Sequence, residues 1–410
     1  MSDLVNFRQE DRLYLAYFVS LRKLLTLNKE GRYIVDCFFN KDLSPKEIVQ
    51  LFEKRTKVKQ KQNLALRKIN SFLADIKEEL YSNSSYSYAL PSNLIPNAPV
   101  SVELQVNTKC NLRCKHCFQN NYSTTMPLKR IEEILKILKK AGVFELNLVG
   151  GEIFLHPEIT KILESCVQKN FAINIVTNGT FLTEQNVENL KGHKNIAVLV
   201  SLEGVGEVND VIRGKGVFSV VDKGIKKLIA KGIYVEISNT LTAKNVDYAD
   251  QIFKYAEELG IACNFNLFKP FKNTHNELVL SPEKYFQTGI KITRNKNSKS
   301  GLTNAAIMSK LLQNKSRDEC RATLLGLSID VQGRMIPCVS LKEAGYYKKK
   351  VLPIFDEKFL DAWKNDINFK EFRKVGFKEC QARAYIFNKN VSSLDPYGIK
   401  SFEKYLKKIS

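Results

Sequence analysis

The chain lacks any continuous apolar segment long enough to cross a bilayer. No stretch reaches the roughly 18 residues that a membrane helix needs, and residues 1–10 are polar and charged. The sequence therefore predicts neither a membrane span nor a secretory signal peptide. Nine cysteines in 410 residues are also too few for a disulfide-stapled fold. Together these absences predict a location in the reducing cytoplasm.

Acidic residues are scarce as well. The chain has 43 Asp and Glu against 64 Lys and Arg, which gives a formal net charge of +21. Such a balance favours anionic partners. However, the lysines are spread along the chain, and no zinc finger, RNA-recognition signature or aromatic-basic repeat is present. We therefore expect no nucleic-acid or membrane partner. A solvated basic surface and attraction of an acidic peptide both remain open.

Three of the cysteines lie in one short segment with the spacing C-x3-C-x2-C. They are Cys110, Cys114 and Cys117, and they follow an alternating apolar stretch at 102–106. Three thiolates on so short a loop can converge on one iron–sulfur cluster and leave one iron without a protein ligand, whereas four-cysteine clusters usually only carry electrons. A structural zinc site that includes His116 is the alternative.

Between residues 101 and 268, short apolar runs alternate with amphipathic helices. The predicted strands are 102–106, 145–149, 172–177, 197–202, 234–239 and 262–267. The predicted helices are near 127–141, 157–169, 183–190, 217–231 and 245–259. Six βα repeats predict a parallel sheet, an incomplete (β/α)6 TIM-like barrel. In such sheets the chemistry lies at the carboxyl ends of the strands.

Polar motifs follow these predicted strands. Gly150-Gly151-Glu152 comes after the second strand, where two glycines allow close backbone approach and the carboxylate can accept a hydrogen bond from an ammonium group. Arg213, in Val-Ile-Arg-Gly, provides a guanidinium fork that suits a carboxylate. The remaining candidates close the third, fourth and fifth strands, and they are Asn178, Ser201, Glu203 and Asn239.

The cysteine spacing and the Gly-Gly-Glu motif together resemble the signature of the radical S-adenosylmethionine (SAM) enzymes. The resemblance implies that Cys110, Cys114 and Cys117 hold a [4Fe–4S] cluster whose open iron binds SAM. It also implies an external one-electron donor, a ferredoxin or flavodoxin. Reduction would cleave SAM to methionine and a 5′-deoxyadenosyl radical, which removes a hydrogen atom from a substrate carbon. The protein binds, orients and excludes water.

The same resemblance assigns roles to the strand-end residues. Glu152 is expected at the amino group of SAM, Arg213 at its carboxylate, and Asn239 at the adenine or ribose. The usual acid at the position of Glu203 is Asp, so Glu203 is longer by one methylene. The full set of expected SAM contacts is Gly150, Gly151, Glu152, Asn178, Ser201, Glu203, Arg213 and Asn239.

Residues 1–85 predict a small separate module with strands at Leu13–Phe18 and Lys23–Leu27. A helix over 29–39 follows, and Ser44-Pro45-Lys46-Glu47 is a capping box that opens a second helix. A one-faced apolar stripe from Leu66 to Leu80 predicts a third. This pattern resembles the PqqD-like RiPP recognition element, a winged-helix module. The resemblance implies that the leader of a ribosomal precursor peptide adds a strand to the sheet edge. A generic or DNA-binding winged helix is the alternative.

Three further cysteines, Cys320, Cys338 and Cys380, fall in the C-terminal part. With a hairpin predicted around Gln332-Gly333, they resemble the SPASM or twitch extension of radical SAM peptide maturases. A full SPASM domain has seven cysteines, and here Arg383 stands where a C-x2-C partner of Cys380 is expected. The departure predicts at most one auxiliary [4Fe–4S] cluster with three protein ligands. Ordinary buried cysteines are the alternative.

The predicted domains are a leader-recognition domain at 1–85, a linker at 86–100, a radical SAM core at 101–270, a helical or linker segment at 271–319 and a SPASM/twitch-like domain at 320–410. The predicted function is modification of a ribosomal precursor peptide, with thioether crosslinking favoured. Carbon–carbon crosslinking and Cα epimerisation, with Cys263 as hydrogen donor, are alternatives. A sulfatase-maturating-type oxidase and a DNA-binding iron–sulfur sensor are alternatives of other classes.

Overall fold

The computed structural model of the chain describes residues 4–56, 62–81, 95–271, 276–294, 300–302, 307, 320, 322–347, 350–377 and 379–409. The chain divides into two compact units, Met1–Asn97 and Ala98–Ser410. Most of the predicted linker at 86–100 and much of the segment 271–319 lie outside the described residues. The proposed domain boundaries therefore stay predictions.

The first unit is a three-stranded antiparallel sheet followed by three helices. The sheet has the order β1-β2-β3, so β1 and β3 are its edge strands. The capping box is confirmed, because Ser44 Oγ donates to Glu47 Oε2 at 2.6 Å and accepts from the Glu47 N–H at 3.4 Å. The elements are β1 (Val5–Glu10), β2 (Leu13–Phe18), β3 (Lys23–Leu27), α1 (Lys29–Val35), α2 (Pro45–Thr56) and α3 (Gln62–Tyr81).

Two features of this unit differ from the sequence prediction. Strand β1 had not been predicted. The predicted helix 29–39 is α-helical only to Val35 and then widens into a π-helical turn, Asp36–Asn40. The Asn40 side chain accepts from Val5 N–H and donates to Val5 O, at 2.8 and 2.9 Å, which ties this turn to β1. The predicted stripe on α3 is confirmed, since its Ile69, Leu73, Ile76 and Leu80 are buried.

Eight parallel strands build the sheet of the second unit, in the order β10-β9-β8-β7-β6-β5-β4-β11, with β12 antiparallel at its edge. The predicted parallel α/β barrel architecture is confirmed, and β10 and β11 extend it beyond the six predicted strands. The strands are β4 (Ser101–Gln105), β5 (Glu145–Val149), β6 (Ala172–Thr177), β7 (Ile196–Ser201), β8 (Tyr234–Leu241), β9 (Ala262–Leu267), β10 (Gly301–Leu302), β11 (Gly326–Ile329) and β12 (Met335–Ile336).

Helices follow most of these strands and bury their apolar stripes against the sheet. In β4, Val102 and Leu104 are fully buried, while Glu103 and Gln105 point to the opposite face, as the two-residue period of a strand requires. The helices are α4 (Leu128–Lys140), α5 (Ile159–Gln168), α6 (Glu184–Glu188), α7 (Glu207–Arg213), α8 (Val217–Ala230), α9 (Ala249–Glu258), α10 (Pro282–Thr293), α11 (Val339–Glu343), α12 (Phe359–Asn365), α13 (Ile367–Val375), α14 (Gln381–Asn388) and α15 (Ile399–Ile409).

Helix α9 starts later than predicted, at Ala249 instead of residue 245. The reason is local, because Asn245 Oδ1 accepts from both the N–H and the hydroxyl of Thr242, at 2.7 and 2.8 Å. These bonds hold a turn ahead of the helix. Among the described residues, no helix has the length and hydropathy of a membrane span.

Candidate active site

The three cysteines of the C-x3-C-x2-C motif lie on the loop between β4 and α4. Two bonds between Thr108 and Thr124, at 2.8 and 3.0 Å, close the base of this loop. Burial raises the pKa of the Cys114 thiol to about 11, although the Arg213 guanidinium opposes the effect. The thiol is therefore protonated in the cluster-free protein, and metal binding has to displace that proton.

Gly150 and Gly151 let this loop approach the end of β5. A Cβ at Gly151 would lie 2.4 Å from the carbonyl oxygens of Thr108 and Lys109. The Gly151 N–H donates to Asn107 O at 3.1 Å, and the Glu152 N–H donates to Lys109 O at 2.6 Å. The two glycines therefore have a packing role in addition to the predicted SAM contact.

Glu152 ties the end of β5 to the end of β6. Its carboxylate accepts from the Thr177 hydroxyl at 2.7 Å and from the N–H groups of Phe154 and Asn178, at 3.2 and 2.7 Å. The residue is fully buried, and burial raises the pKa of the carboxyl against the effect of these donors. Asn178 in turn donates through Nδ2 towards Cys110 Sγ at 3.6 Å. The predicted contact of Glu152 with the amino group of SAM stays a prediction.

Glu203, after β7, is the centre of a buried polar network. Its Oε1 accepts from Arg213 Nε at 3.1 Å and Nη2 at 2.6 Å, and its Oε2 accepts from the Thr240 N–H at 2.6 Å. Burial lowers the pKa of Arg213, but the Glu203 carboxylate together with Cys114 and Cys117 more than offsets this, and the pKa lies above its usual value. Arg213 Nη1 points towards Cys114 Sγ at 3.9 Å. Two of the arginine nitrogens therefore hold Glu203, and the third faces the cysteine loop.

His116 completes this network. Its Nε2 lies 3.3 Å from Glu203 Oε1, and burial lowers the pKa of the imidazole to about 4. A neutral ring that donates from Nε2 leaves a lone pair on Nδ1, and Nδ1 is buried without a hydrogen-bond partner among the described residues. Sequence reasoning had considered His116 only as a zinc ligand.

A structural zinc site needs several His, Cys, Asp or Glu side chains around one ion. Nowhere in the part of the chain that the structure describes do three His, Cys, Asp or Glu side chains converge on a point that could hold one ion. A [4Fe–4S] cluster requires no such convergence, because each thiolate binds a different iron.

Ser201 and Asn239 lie at the ends of neighbouring strands. Ser201 of β7 pairs in register with Ser238 of β8. Asn239 donates through Nδ2 to Leu202 O at 2.9 Å, while its buried Oδ1 has no partner among the described residues. Buried polar atoms are normally satisfied, so Asn239 Oδ1 and His116 Nδ1 are free to bind a polar ligand. The three thiols of the loop fit the ligands of an iron–sulfur cluster, and these two polar atoms fit the contacts of a bound SAM.

The three C-terminal cysteines also lie in one region of the structure. Cys320, Cys338 and Cys380 pack against one apolar cluster that includes Leu341 and Tyr347. Burial raises the pKa of Cys380 to about 12. The charge of Lys269 acts to lower this pKa, and Cys320 and Cys338 act to raise it.

Arg383, which replaces the expected cysteine, has a structural role. Its Nε and Nη2 contact the Asp395 carboxylate at 2.9 and 2.7 Å, and Asp395 Oδ2 also accepts from the Cys380 N–H at 3.4 Å. The ion pair is buried and fixes the start of α14, on which Cys380 is the N-cap. At the position where the SPASM pattern predicts a cysteine, the chain therefore has one partner of a buried ion pair.

Cys263 does not suit the role of hydrogen donor that the sequence suggested. It is the second residue of β9, which places it near the amino end of the strand, away from the carboxyl ends where the other candidates lie. It is fully buried in the apolar core.

Comparison with known proteins agrees with this geometry. Residues 104–259 match the family model described as the radical SAM superfamily. The chain is similar to the antilisterial bacteriocin subtilosin biosynthesis protein AlbA of Bacillus subtilis, with 33% identity over 175 residues that cover 41% of this chain and 39% of AlbA. It is also similar to the mycofactocin maturase MftC of Mycobacterium tuberculosis, with 27% identity over 179 residues that cover 42% and 46%. The chain thus matches less than half the length of either relative.

The fold has solved counterparts. The crystal structure of Streptococcus suis SuiB bound to precursor peptide SuiA superimposes with a TM-score of 0.70, over 96% of this chain and 98% of that one. The two sequences are 17% identical, so the likeness is one of fold.

Proposed function

We propose that this chain, an enzyme that belongs to the radical SAM superfamily through residues 104–259, modifies a ribosomally synthesised precursor peptide. The observation that carries the proposal is the buried pair of Glu203 and Arg213, which contacts His116 and Cys114 of the cysteine loop. A bacteriocin biosynthesis protein and a maturase among its relatives support the peptide as substrate.

The chain's own residues bind and orient the cofactors. Cys110, Cys114 and Cys117 would hold the [4Fe–4S] cluster. Arg213 Nη1, which faces Cys114, and Asn239 Oδ1, which has no partner among the described residues, would bind the polar groups of SAM. When bound, the cluster and SAM supply a 5′-deoxyadenosyl radical. The protein contributes binding, orientation and exclusion of water.

The first unit is proposed to bind the leader of the peptide. Its strands β1 and β3 are both sheet edges, and an edge strand can take up an added strand through backbone hydrogen bonds, with sequence-tolerant affinity. A basic chain with net charge +21 favours an acidic leader. A ferredoxin or flavodoxin is proposed as the electron donor.

Thioether formation remains our preferred reaction. It joins a cysteine sulfur of the peptide to a carbon of another residue and removes two hydrogen atoms. Carbon–carbon crosslinking gives the same mass change, whereas epimerisation leaves the mass unaltered. Oxidation of the sulfatase-maturating type is less well supported, since it does not call for a leader-binding unit.

Co-expression with a precursor peptide tests the proposed function. We expect the peptide encoded beside this gene to lose about two mass units, because a crosslink removes two hydrogens. High-resolution mass spectrometry of the peptide measures this, and tandem fragmentation locates the bond. An unaltered mass with deuterium uptake from solvent would instead indicate epimerisation. An unmodified peptide in the presence of SAM and reductant would contradict the proposal.

We also propose one auxiliary [4Fe–4S] cluster on Cys320, Cys338 and Cys380, and their packing against the same apolar cluster supports it. The anaerobically reconstituted protein is then expected to hold about eight irons per chain, because each cluster contains four. Iron and sulfide analysis measures this. Replacement of these three cysteines with alanine is expected to lower the content to about four. A content of about four irons in the unaltered chain would refute the auxiliary cluster.

A further inference from the structure

The loop that carries the first cluster motif also presents an unusually basic surface. Residues 106–127 contain no Asp or Glu, and their Lys109, Arg113 and Lys115 are all exposed. Exposed Lys215 lies close by, because the Lys115 N–H donates to Ile212 O at 3.0 Å near the end of α7. We refer to Lys109, Arg113, Lys115 and Lys215 as the basic loop surface.

Part of this surface is held in a fixed position. The Arg113 guanidinium lies 3.6 Å from the centre of the Tyr122 ring. Its Nη1 also donates to the carbonyls of Cys110 and Leu112, both at 2.9 Å. The side chain remains exposed, so a partner can meet its charge without an added ordering cost.

Apolar side chains accompany these charges. Phe118 follows the exposed Cys117 directly, is 36% exposed and packs its ring against Phe271 with centres 5.6 Å apart. Val211, on α7 next to the Ile212 carbonyl that receives Lys115, is 49% exposed. A small apolar centre with a charged rim is typical of short-lived protein interfaces.

The nearby carboxylates leave this charge largely uncompensated. Glu203 is buried and paired with Arg213. Asp210 accepts from the N–H groups of Gly216 and Phe218, at 2.6 and 2.8 Å. Exposed Glu132 and Glu133, in the first half of α4, and exposed Glu207, in the first turn of α7, are the nearby acidic groups that remain on the surface.

We propose that the basic loop surface docks a small, acidic one-electron carrier protein. The inference rests on the proposed function, since it presumes a cluster on Cys110, Cys114 and Cys117. Electron transfer weakens steeply with distance, so the carrier has to approach the surface next to these ligands. Opposite charge steers such an encounter and accelerates it. The reduced carrier would lose one electron and the cluster would gain it. No bond would form or break, and no proton would be transferred.

Charge reversal tests the docking surface. The triple variant Lys109→Glu, Lys115→Glu and Lys215→Glu is compared with a matched control, Lys136→Glu, Lys223→Glu and Lys254→Glu, whose exposed lysines lie on α4, α8 and α9. Binding of oxidised flavodoxin is measured by calorimetry at low and high salt. Cluster reduction by reduced flavodoxin and by dithionite is measured by electron paramagnetic resonance.

We expect the triple variant to bind flavodoxin at least about tenfold more weakly at low salt, and the control to bind as the unaltered chain does. Salt should weaken binding to the unaltered chain. Reduction by flavodoxin should slow about as much as binding weakens, with dithionite reduction unchanged. The proposed docking surface would be overturned if the triple variant bound flavodoxin as tightly as the unaltered chain does, or if the control lost as much affinity as the triple variant. If dithionite fails to reduce the unaltered chain, the proposed cluster on Cys110, Cys114 and Cys117 is absent and the proposed function is wrong.

Discussion

Replacing Cys110, Cys114 and Cys117 together with alanine is expected to abolish formation of 5′-deoxyadenosine from SAM. The loop would keep its base, because Thr108 and Thr124 close it without the cysteines. The chain would lose the thiolates that hold the cluster, and with them about four irons. Chromatography of the reaction mixture measures deoxyadenosine, and iron analysis measures the cluster.

A cysteine outside the site serves as the control. Cys166, on α5, is fully buried in the apolar core, and burial raises the pKa of its thiol to about 12. Cys166→Ala should leave iron content and deoxyadenosine formation intact, with a loss of about 1 kcal/mol in stability. Undiminished SAM cleavage in the triple cysteine variant would show that the radical chemistry does not depend on this loop.

The sequence was sufficient to predict those features that depend on a few neighbouring residues. The spacing of Cys110, Cys114 and Cys117 and the glycines before Glu152 are fixed by a few neighbouring residues, and the alternation of βα segments follows from the 2.0 and 3.6 residue periods. These features predicted the parallel sheet, which the structure confirms. The roles of the individual site residues are still predictions.

Long-range pairing was beyond the reach of the sequence. Residues 326–329 were part of a predicted C-terminal domain, yet β11 pairs in parallel with β4, with Gly326 opposite Ser101 and Ile329 opposite Leu104. The sequence of four residues does not indicate which strand they pair with when that strand lies more than 200 positions away. The hairpin with β12 was predicted, and Ile329 does pair with Met335, because that contact is short in sequence.

The network around Glu203 shows a similar limit. The motif suggested that Glu203 and Arg213 each contact SAM, but α7 had not been predicted, and it is this helix that ends at Arg213. Only the fold reveals that Arg213 donates hydrogen bonds to Glu203, and that the N–H of Thr240, from the next strand, donates to the same carboxylate. A sequence motif identifies residue types, and the fold decides which of their atoms are already engaged.

The variant Glu203→Leu is expected to destabilise the chain by about 3–5 kcal/mol, because it leaves the buried Arg213 guanidinium without its counter-charge. Urea denaturation followed by circular dichroism measures the loss. The same variant should fail to bind SAM, since Glu203 holds Arg213 in place through Nε and Nη2. Equilibrium dialysis with labelled SAM measures the binding.

The double variant Glu203→Leu with Arg213→Met separates folding from binding. Removing both charges abolishes the unpaired buried cation, so most of the stability should return. A deficit of about 1–3 kcal/mol should remain, because the partly buried Thr240 N–H loses its acceptor. SAM binding should stay absent, since no guanidinium is left for its carboxylate. A double variant no more stable than Glu203→Leu would show that the ion pair is not what Glu203 contributes. Recovery of SAM binding along with stability would instead reduce Arg213 to a purely structural residue.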